Sequence, residues 1–257
     1  MSSLKKIILL TITIIFLGCD DKDENSPIDQ VATIGTITVD FNHYWGNEKV
    51  TSADFNTTRF TNENNDTQTI SKLKYLISNL TLHKANGESI KLSDYYLVDL
   101  AGLNSNTSIT VSDVPVGDYS SVSFTFGFNE DDNIGGVYLD LNSALWNWPS
   151  MLGGGYHFMQ FEGKYGAIGT ENPYAYHMGT ARVSMDVFEQ NYFDVSINGF
   201  TMGEETSAEI KMDISEWFKD TYTWDLSVYD TPLMTNYDAQ LLMNQNGQTV
   251  FSLGEIN

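Results

Sequence analysis

The stretch from Leu73 to His83, LKYLISNLTLH, followed by Asn86-Gly87 and then by Tyr95-Tyr96-Leu97-Val98-Asp99, decides the fold class. A run dense in apolar, β-branched and aromatic residues is followed by a turn and by a second such run. Asn-Gly supplies the positive φ angles that a tight hairpin needs, so the segment reads as strand, turn, strand. Working outward, short runs of the same character recur over 34–41, 121–128, 156–162, 181–187, 192–197 and 209–214, separated by Gly, Asn, Asp and Pro. Asn198-Gly199 reads as a second hairpin tip, and Pro115-Val116-Gly117-Asp118-Tyr119 as a turn feeding a strand. Helical spacing is confined to 213–218 and 237–243. The pattern predicts an all-β chain: an antiparallel, immunoglobulin-like β-sandwich with short peripheral helices.

Before these runs, residues 1–18 carry Lys5 and Lys6, the apolar run from Ile7 to Leu17, and Gly18 directly before Cys19. This is the layout of an export signal, and the apolar run is shorter than the about 20 residues a membrane span needs. Phe16-Leu17-Gly18-Cys19 resembles a bacterial lipobox, which implies cleavage before Cys19, lipidation of Cys19 and attachment to a membrane through that lipid. Residues 19–31 then read as an acidic, flexible tether and residues 32–257 as one β-sandwich domain. The run Asp20-Asp21-Lys22-Asp23-Glu24 resembles the surface-export signal of Bacteroidetes lipoproteins; as composition alone it is a solvated tether. The expected location is the cell envelope, as an outer-membrane lipoprotein facing the periplasm or the cell surface.

Cys19 is the single cysteine, so the domain forms no internal disulfide and has no thiolate for catalysis or metal. The formal net charge is −21; removal of residues 1–18 takes away Lys5 and Lys6 and no acidic side chain, which gives −23. Such a surface repels nucleic acid and anionic lipid, so nucleic-acid binding is excluded and membrane attachment rests on the lipid chains. No GxSxG, HExxH, CxxC, P-loop or GxGxxG string occurs, and the chain is read as a binding protein with no catalytic residues.

Chemistry therefore falls to a few side chains. The loop Asn129-Glu130-Asp131-Asp132-Asn133 clusters oxygen ligands of the kind calcium takes, without the ordered spacing of a calcium loop. An imidazole site must draw on His43, His83, His157 and His177. Thioether neighbours such as Met159 or Met178 would favour copper, Cu(I) above all. Trp146 and Trp148 share one strand face, where core packing is the leading expectation and a ligand surface the other.

Taken together, the ordered segments resemble the MbnP-like copper-binding protein family. The resemblance rests on Phe41-Asn42-His43, on Ser71 to Leu80, on Tyr95 to Asp99 and on Val114 to Tyr119. It continues in Trp146-Asn147-Trp148-Pro149, in Gly155-Tyr156-His157-Phe158-Met159-Gln160-Phe161-Glu162-Gly163 and in His177-Met178-Gly179. It implies an extracytoplasmic β-rich domain that binds copper through histidines, with His43 and His177 as the matching ligands. It also implies a tryptophan converted to kynurenine by a partner dihaem enzyme. That tryptophan is expected two places before His43, where this chain has Phe41, which cannot become kynurenine; Trp45 lies two places after. The function expected is non-catalytic copper uptake, storage or delivery, against the alternative of a surface module that binds a protein or glycan without metal.

Overall fold

The structure, a computed structural model, describes residues 33–101 and 106–257. The signal segment, Cys19 and the acidic tether lie outside the described residues. In chain order the first strands are β1 (Ile34–Trp45), β2 (Glu48–Val50), β3 (Phe60–Thr61), β4 (Thr67–His83), β5 (Ser89–Asp99), β6 (Ser108–Pro115), β7 (Gly117–Asp118) and β8 (Ser121–Phe126). After helix α1 (Leu139–Ser143) come β9 (Met159–Tyr165), β10 (Asn172–Met178), β11 (Ala181–Ser184), β12 (Val187–Glu189), β13 (Phe193–Asn198), β14 (Thr201–Met202) and β15 (Glu205–Asp213). Helix α2 (Tyr237–Gly247) and β16 (Phe251–Ile256) close the chain.

Two sheets pack face to face. The smaller runs β16-β15-β1-β2 with β6 also on β1; the larger runs β10-β9-β4-β8-β13 with β3 and β5 also on β4. The ladders are antiparallel except that of β1 with β15, which is parallel, so the first and last long strands of the domain lie side by side. Between the sheets lies a core rich in aromatic rings, including Phe41, Tyr75, Phe124, Phe126, Phe161, Tyr176 and Trp217.

Strand β4 organises the larger sheet. Leu73, Tyr75 and Ile77 face the core at every second residue, and so do Leu80 and Leu82, which is a change of phase. Asn79 makes that change with a left-handed φ of 55°, and the ladders to β5 and β8 both shift register near it. Asn tolerates this conformation better than most side chains. Without the shift, Leu80 and Leu82 would point outward, and burying such a side chain is worth about 1.5–3 kcal/mol.

The Asn86-Gly87 turn joins β4 to β5 as expected, with Gly87 at φ 90°. Asn198-Gly199, by contrast, is no hairpin tip: β13 pairs with β8, whereas β14 pairs with β7. Gly199 is needed because a Cβ there would come within 1.9 Å of the Tyr119 carbonyl oxygen, so the glycine serves close approach and not a positive φ. The run 181–187 is likewise not one strand: Ser184 pairs with Val187 around a Met185-Asp186 turn, with Asp186 at φ 59°. The Pro115–Tyr119 turn is closed by the Tyr119 hydroxyl donating to the Pro115 carbonyl at 2.6 Å.

The phase change at Asn79 is open to test. Asn79→Gly is expected to leave thermal stability nearly unchanged, and Asn79→Val to lower it by about 1–3 kcal/mol, because a β-branched residue resists this φ. Equal denaturation midpoints for the two variants would contradict the assignment.

Candidate metal centre

The two histidines singled out by the resemblance, His43 and His177, are not brought together. His43 sits on β1 facing the inter-sheet core, 1% exposed, with Nε2 3.1 Å from the Tyr75 hydroxyl. His177 alternates on β10 with Tyr176 and Met178, which belong to the core, so its ring lies on the opposite, outer face of the larger sheet. Tyr75, Met159 and Met178 stand side by side across β4, β9 and β10, two strand spacings separating the first from the last. Met159 and Met178 point into the core, away from His177, so neither thioether joins an imidazole there.

His43 is a neutral core residue. Burial first, and the positive charge of Lys49 second, push its imidazolium pKa down to about 3. His83 has both nitrogens occupied, Nδ1 2.9 Å from the Ser89 hydroxyl and Nε2 2.7 Å from that of Ser123.

The remaining pair adjoins. The rings of His157 and His177 meet edge to face with centroids 5.4 Å apart. His177 Nε2 lies 2.9 Å from Glu162 Oε1, and the same oxygen accepts from Lys72 Nζ at 2.6 Å. An ionised carboxylate only accepts, so Nε2 carries the hydrogen and Nδ1 of His177 holds the free lone pair. Burial works to raise the Glu162 carboxyl, but the bonds from Lys72 and His177 outweigh it and hold the pKa below the ordinary value. His177 is itself lowered, by burial first, against the pull of Glu162. His157 falls to about 3 through burial, reinforced by the charges of His177 and Lys72. Its Nδ1 is buried and has no hydrogen-bond partner, the kind of orphaned polar atom that calls for a ligand or a water.

Two tryptophans build the wall behind His157. The chain from Trp146 to Trp148 runs antiparallel to 155–157, with His157 N donating to the Trp146 carbonyl and Trp148 N to that of Gly155. Both indoles therefore share one face, with ring centroids 5.5 and 4.9 Å from His157. Both are buried, so they pack as expected and still adjoin the imidazoles. Trp148 lies against Gly179, where any Cβ would meet the indole at 2.5 Å; that contact explains the glycine after His177-Met178. Gln240 of α2 fixes the same corner, its amide nitrogen donating to the His177 carbonyl at 2.7 Å and its oxygen accepting from Gly179 N at 3.2 Å.

Among the described residues no three His, Cys, Asp or Glu side chains converge as a ready metal cage, so the candidate centre is a pair of imidazoles with a carboxylate behind one of them. In the loop from Asn129 to Asn133, Asn129 bonds Asp132 through both Nδ2 and Oδ1, and Asn133 Oδ1 accepts from Tyr156 N, so these three side chains are engaged with protein partners. Phe41, in the place of the modifiable tryptophan, is 1% exposed and packs on Tyr75, Tyr96 and Phe124. Trp45 stacks on Phe60 at 4.8 Å.

The sequence profile of the MbnP family matches residues 34–235, which spans nearly all of both sheets. The chain belongs to the MbnP family. Among solved structures it is similar to MbnP from Methylosinus trichosporium, with a TM-score of 0.58 and 14% identity, over 86% of this chain and 99% of the other. At that identity the likeness is one of fold. No curated protein matches the chain.

The neutral state of His43 has a pH signature. Below about pH 6.5 the unfolded chain takes up a proton that the folded chain refuses until about pH 3, so stability is full above 6.5 and is lost as pH falls through that window. Wild-type stability is expected to fall more steeply with acid than that of His43→Phe, by about 1.4 kcal/mol per pH unit. Parallel stability profiles between pH 7 and 5 would contradict it.

Proposed function

We propose that this MbnP-family protein is a cell-envelope lipoprotein that binds copper without turnover, for uptake, storage or delivery, through His157 and His177. The observation that carries the reading is the edge-to-face imidazole pair, with Glu162 fixing the tautomer of His177 and the buried Nδ1 of His157 lacking a partner. Imidazole suits copper, and a carboxylate hydrogen-bonded to the far nitrogen of a ligating histidine fixes its ring and raises its basicity. The two donors are neutral and the Glu162 charge is balanced by Lys72, so the site brings no net negative charge of the kind that stabilises a divalent ion. A d10 ion such as Cu(I) also makes no demand for four equatorial ligands, whereas Cu(II) does.

Export, cleavage before Cys19 and lipid anchoring rest on the sequence of residues 1–24 and belong to this reading. A dihaem partner has no role in it, because Phe41 stands where its substrate tryptophan would be.

Elemental analysis after anaerobic Cu(I) loading and desalting tests the proposal. The wild type and His43→Phe are expected to retain about one copper per chain, and His157→Ala and His177→Ala none. Retention in both alanine variants would remove the pair as ligands. No copper in a folded wild type would leave the surface interaction module as the reading of the domain. Glu162→Gln is expected to weaken copper affinity roughly 10–100-fold, the usual effect of removing such a supporting carboxylate; an unchanged Kd from competition with a chromophoric chelator would contradict that role.

A further inference from the structure

The segment 133–156, which folds back over the outer face of the larger sheet, is short of charge and rich in exposed apolar side chains. Asp140 is its single charged residue, in a chain that is 18% charged. The β11–β12 hairpin lies against it: Asn133 Nδ2 donates to Thr180 Oγ1 at 3.2 Å, and a Cβ on Gly153 would meet Thr180 and the Phe188 ring at 2.6 and 3.2 Å. Together the two segments hold nine of the thirteen large apolar side chains exposed among the described residues. Such clustering marks a contact surface, whereas scattered exposed residues need no explanation.

The most exposed of the nine, Leu139, Leu145, Met151 and Met185, are 71–83% exposed, and they stand on turns. Met151 lies in the short helical turn Ser150–Leu152, Met185 at the tip of the hairpin, and Leu139 and Leu145 at the two ends of α1. In the covering segment each alternates with a buried neighbour: Leu139 with Leu141 on the opposite side of α1, Leu145 with Trp146, and Met151 with Leu152. The buried partners fix the segment to the domain, and the exposed ones are turned away from it. Leu145 also takes a left-handed φ of 56°, which a leucine adopts only at a cost. Neither burial nor backbone preference accounts for a leucine there.

We propose that this lobe docks on a lipid bilayer with neutral, zwitterionic headgroups, the side chains on its turns entering the interface. The inference rests on the lipid-anchor part of the function proposed above and not on copper. Thirteen residues separate Cys19 from Thr33, at most about 50 Å of chain. A domain of this size is about 45 Å across, so lipid held at Cys19 leaves this face within reach of the bilayer. Tethering makes the second contact intramolecular, and a few inserted side chains then suffice. Charge selects the lipid: the lobe carries Asp140, Asp186 and Glu189 against Arg182 alone, in a chain of net charge −21, which opposes anionic headgroups. A second copy would meet the same repulsion. Protruding side chains also need no matching surface in a deformable interface, whereas a protein partner must supply one.

The test uses the full lipidated chain on phosphatidylcholine vesicles. Because the thiol of Cys19 carries the lipid, a solvatochromic dye can be attached uniquely at Leu145→Cys, at Met185→Cys or, as a control on β16 of the smaller sheet, at Ser252→Cys; all three positions are exposed. The dyes at 145 and 185 are expected to shift to the blue and to be quenched several-fold more than that at 252 by lipids brominated in their acyl chains. Adding Leu145→Asp and Met151→Asp is expected to return the dye at 185 to its aqueous emission while the chain still floats with the vesicles. Replacing half the lipid by phosphatidylglycerol is expected to weaken the signal. Flotation without any dye shift would overturn the docking and leave the anchor standing; absence of flotation would overturn both. Equal shifts at all three positions, a stronger signal on anionic vesicles, or a concentration-dependent shift without vesicles, which would assign the lobe to a second copy, would each overturn the proposal.

Discussion

The architecture depends on one strand keeping two sets of side chains on two different faces. Strand β4 presents Leu73, Tyr75, Ile77, Leu80 and Leu82 to the core, and Lys72 and Leu76 to the outer face. From Leu73 to Leu82 it can do so only because Asn79 absorbs a change of phase in a left-handed conformation, and a second register shift, between Ile70 and Lys72, brings Ile70 to the core as well. On the inner side this strand supplies the hydroxyl that partners His43. On the outer side it supplies Lys72 for Glu162 and, through Leu76, the base of a second aromatic cluster with Phe128, Trp146 and Tyr156.

The two faces impose opposite electrostatics on the same residue type. His43, between the sheets, is neutral because a charge there has no compensating partner, and it acts as a shaped polar filler against Tyr75. His177, on the outer face, has a carboxylate beyond its ring, and that carboxylate is itself held ionised by Lys72. The segment from Gly127 to Phe158 folds back over this face and brings Trp146 and Trp148 to the imidazoles, so the pair is partly withdrawn from water without entering the core.

Much of the fold was legible in sequence because strand periodicity and turn chemistry are local. The Leu73–His83 run, the Asn86-Gly87 hairpin and the late helices at 214–218 and 237–247 all follow from them. Asn198-Gly199 misled for a physical reason: glycine serves both positive φ and close backbone approach, and only the three-dimensional neighbour, the Tyr119 carbonyl, distinguishes the two. The parallel ladder of β1 with β15 joins segments distant in sequence and leaves no local trace. At the site, the resemblance pointed to His43 and His177, but the alternation of each strand sends them to opposite faces, and that depends on which sheet each strand joins. His157 carried a fainter signal, since a Trp-x-Trp run followed by a histidine-containing strand start places three rings on one face only once 146–148 is known to pair with 155–157. The Lys72–Glu162 bond depends on the β4–β9 register, which no local pattern encodes.

In the copper-binding function proposed above, metal goes to the outer-face pair of His157 and His177, while His43 stays a structural residue of the core. NMR of isotope-labelled histidine side chains, followed while Cu(I) is added without oxygen, reads each imidazole separately. The nitrogen resonances of His157 and His177 are expected to move together and saturate at one equivalent, while those of His43 stay where they are. Movement of the His43 resonances with those of His177, or of His43 alone, would contradict it.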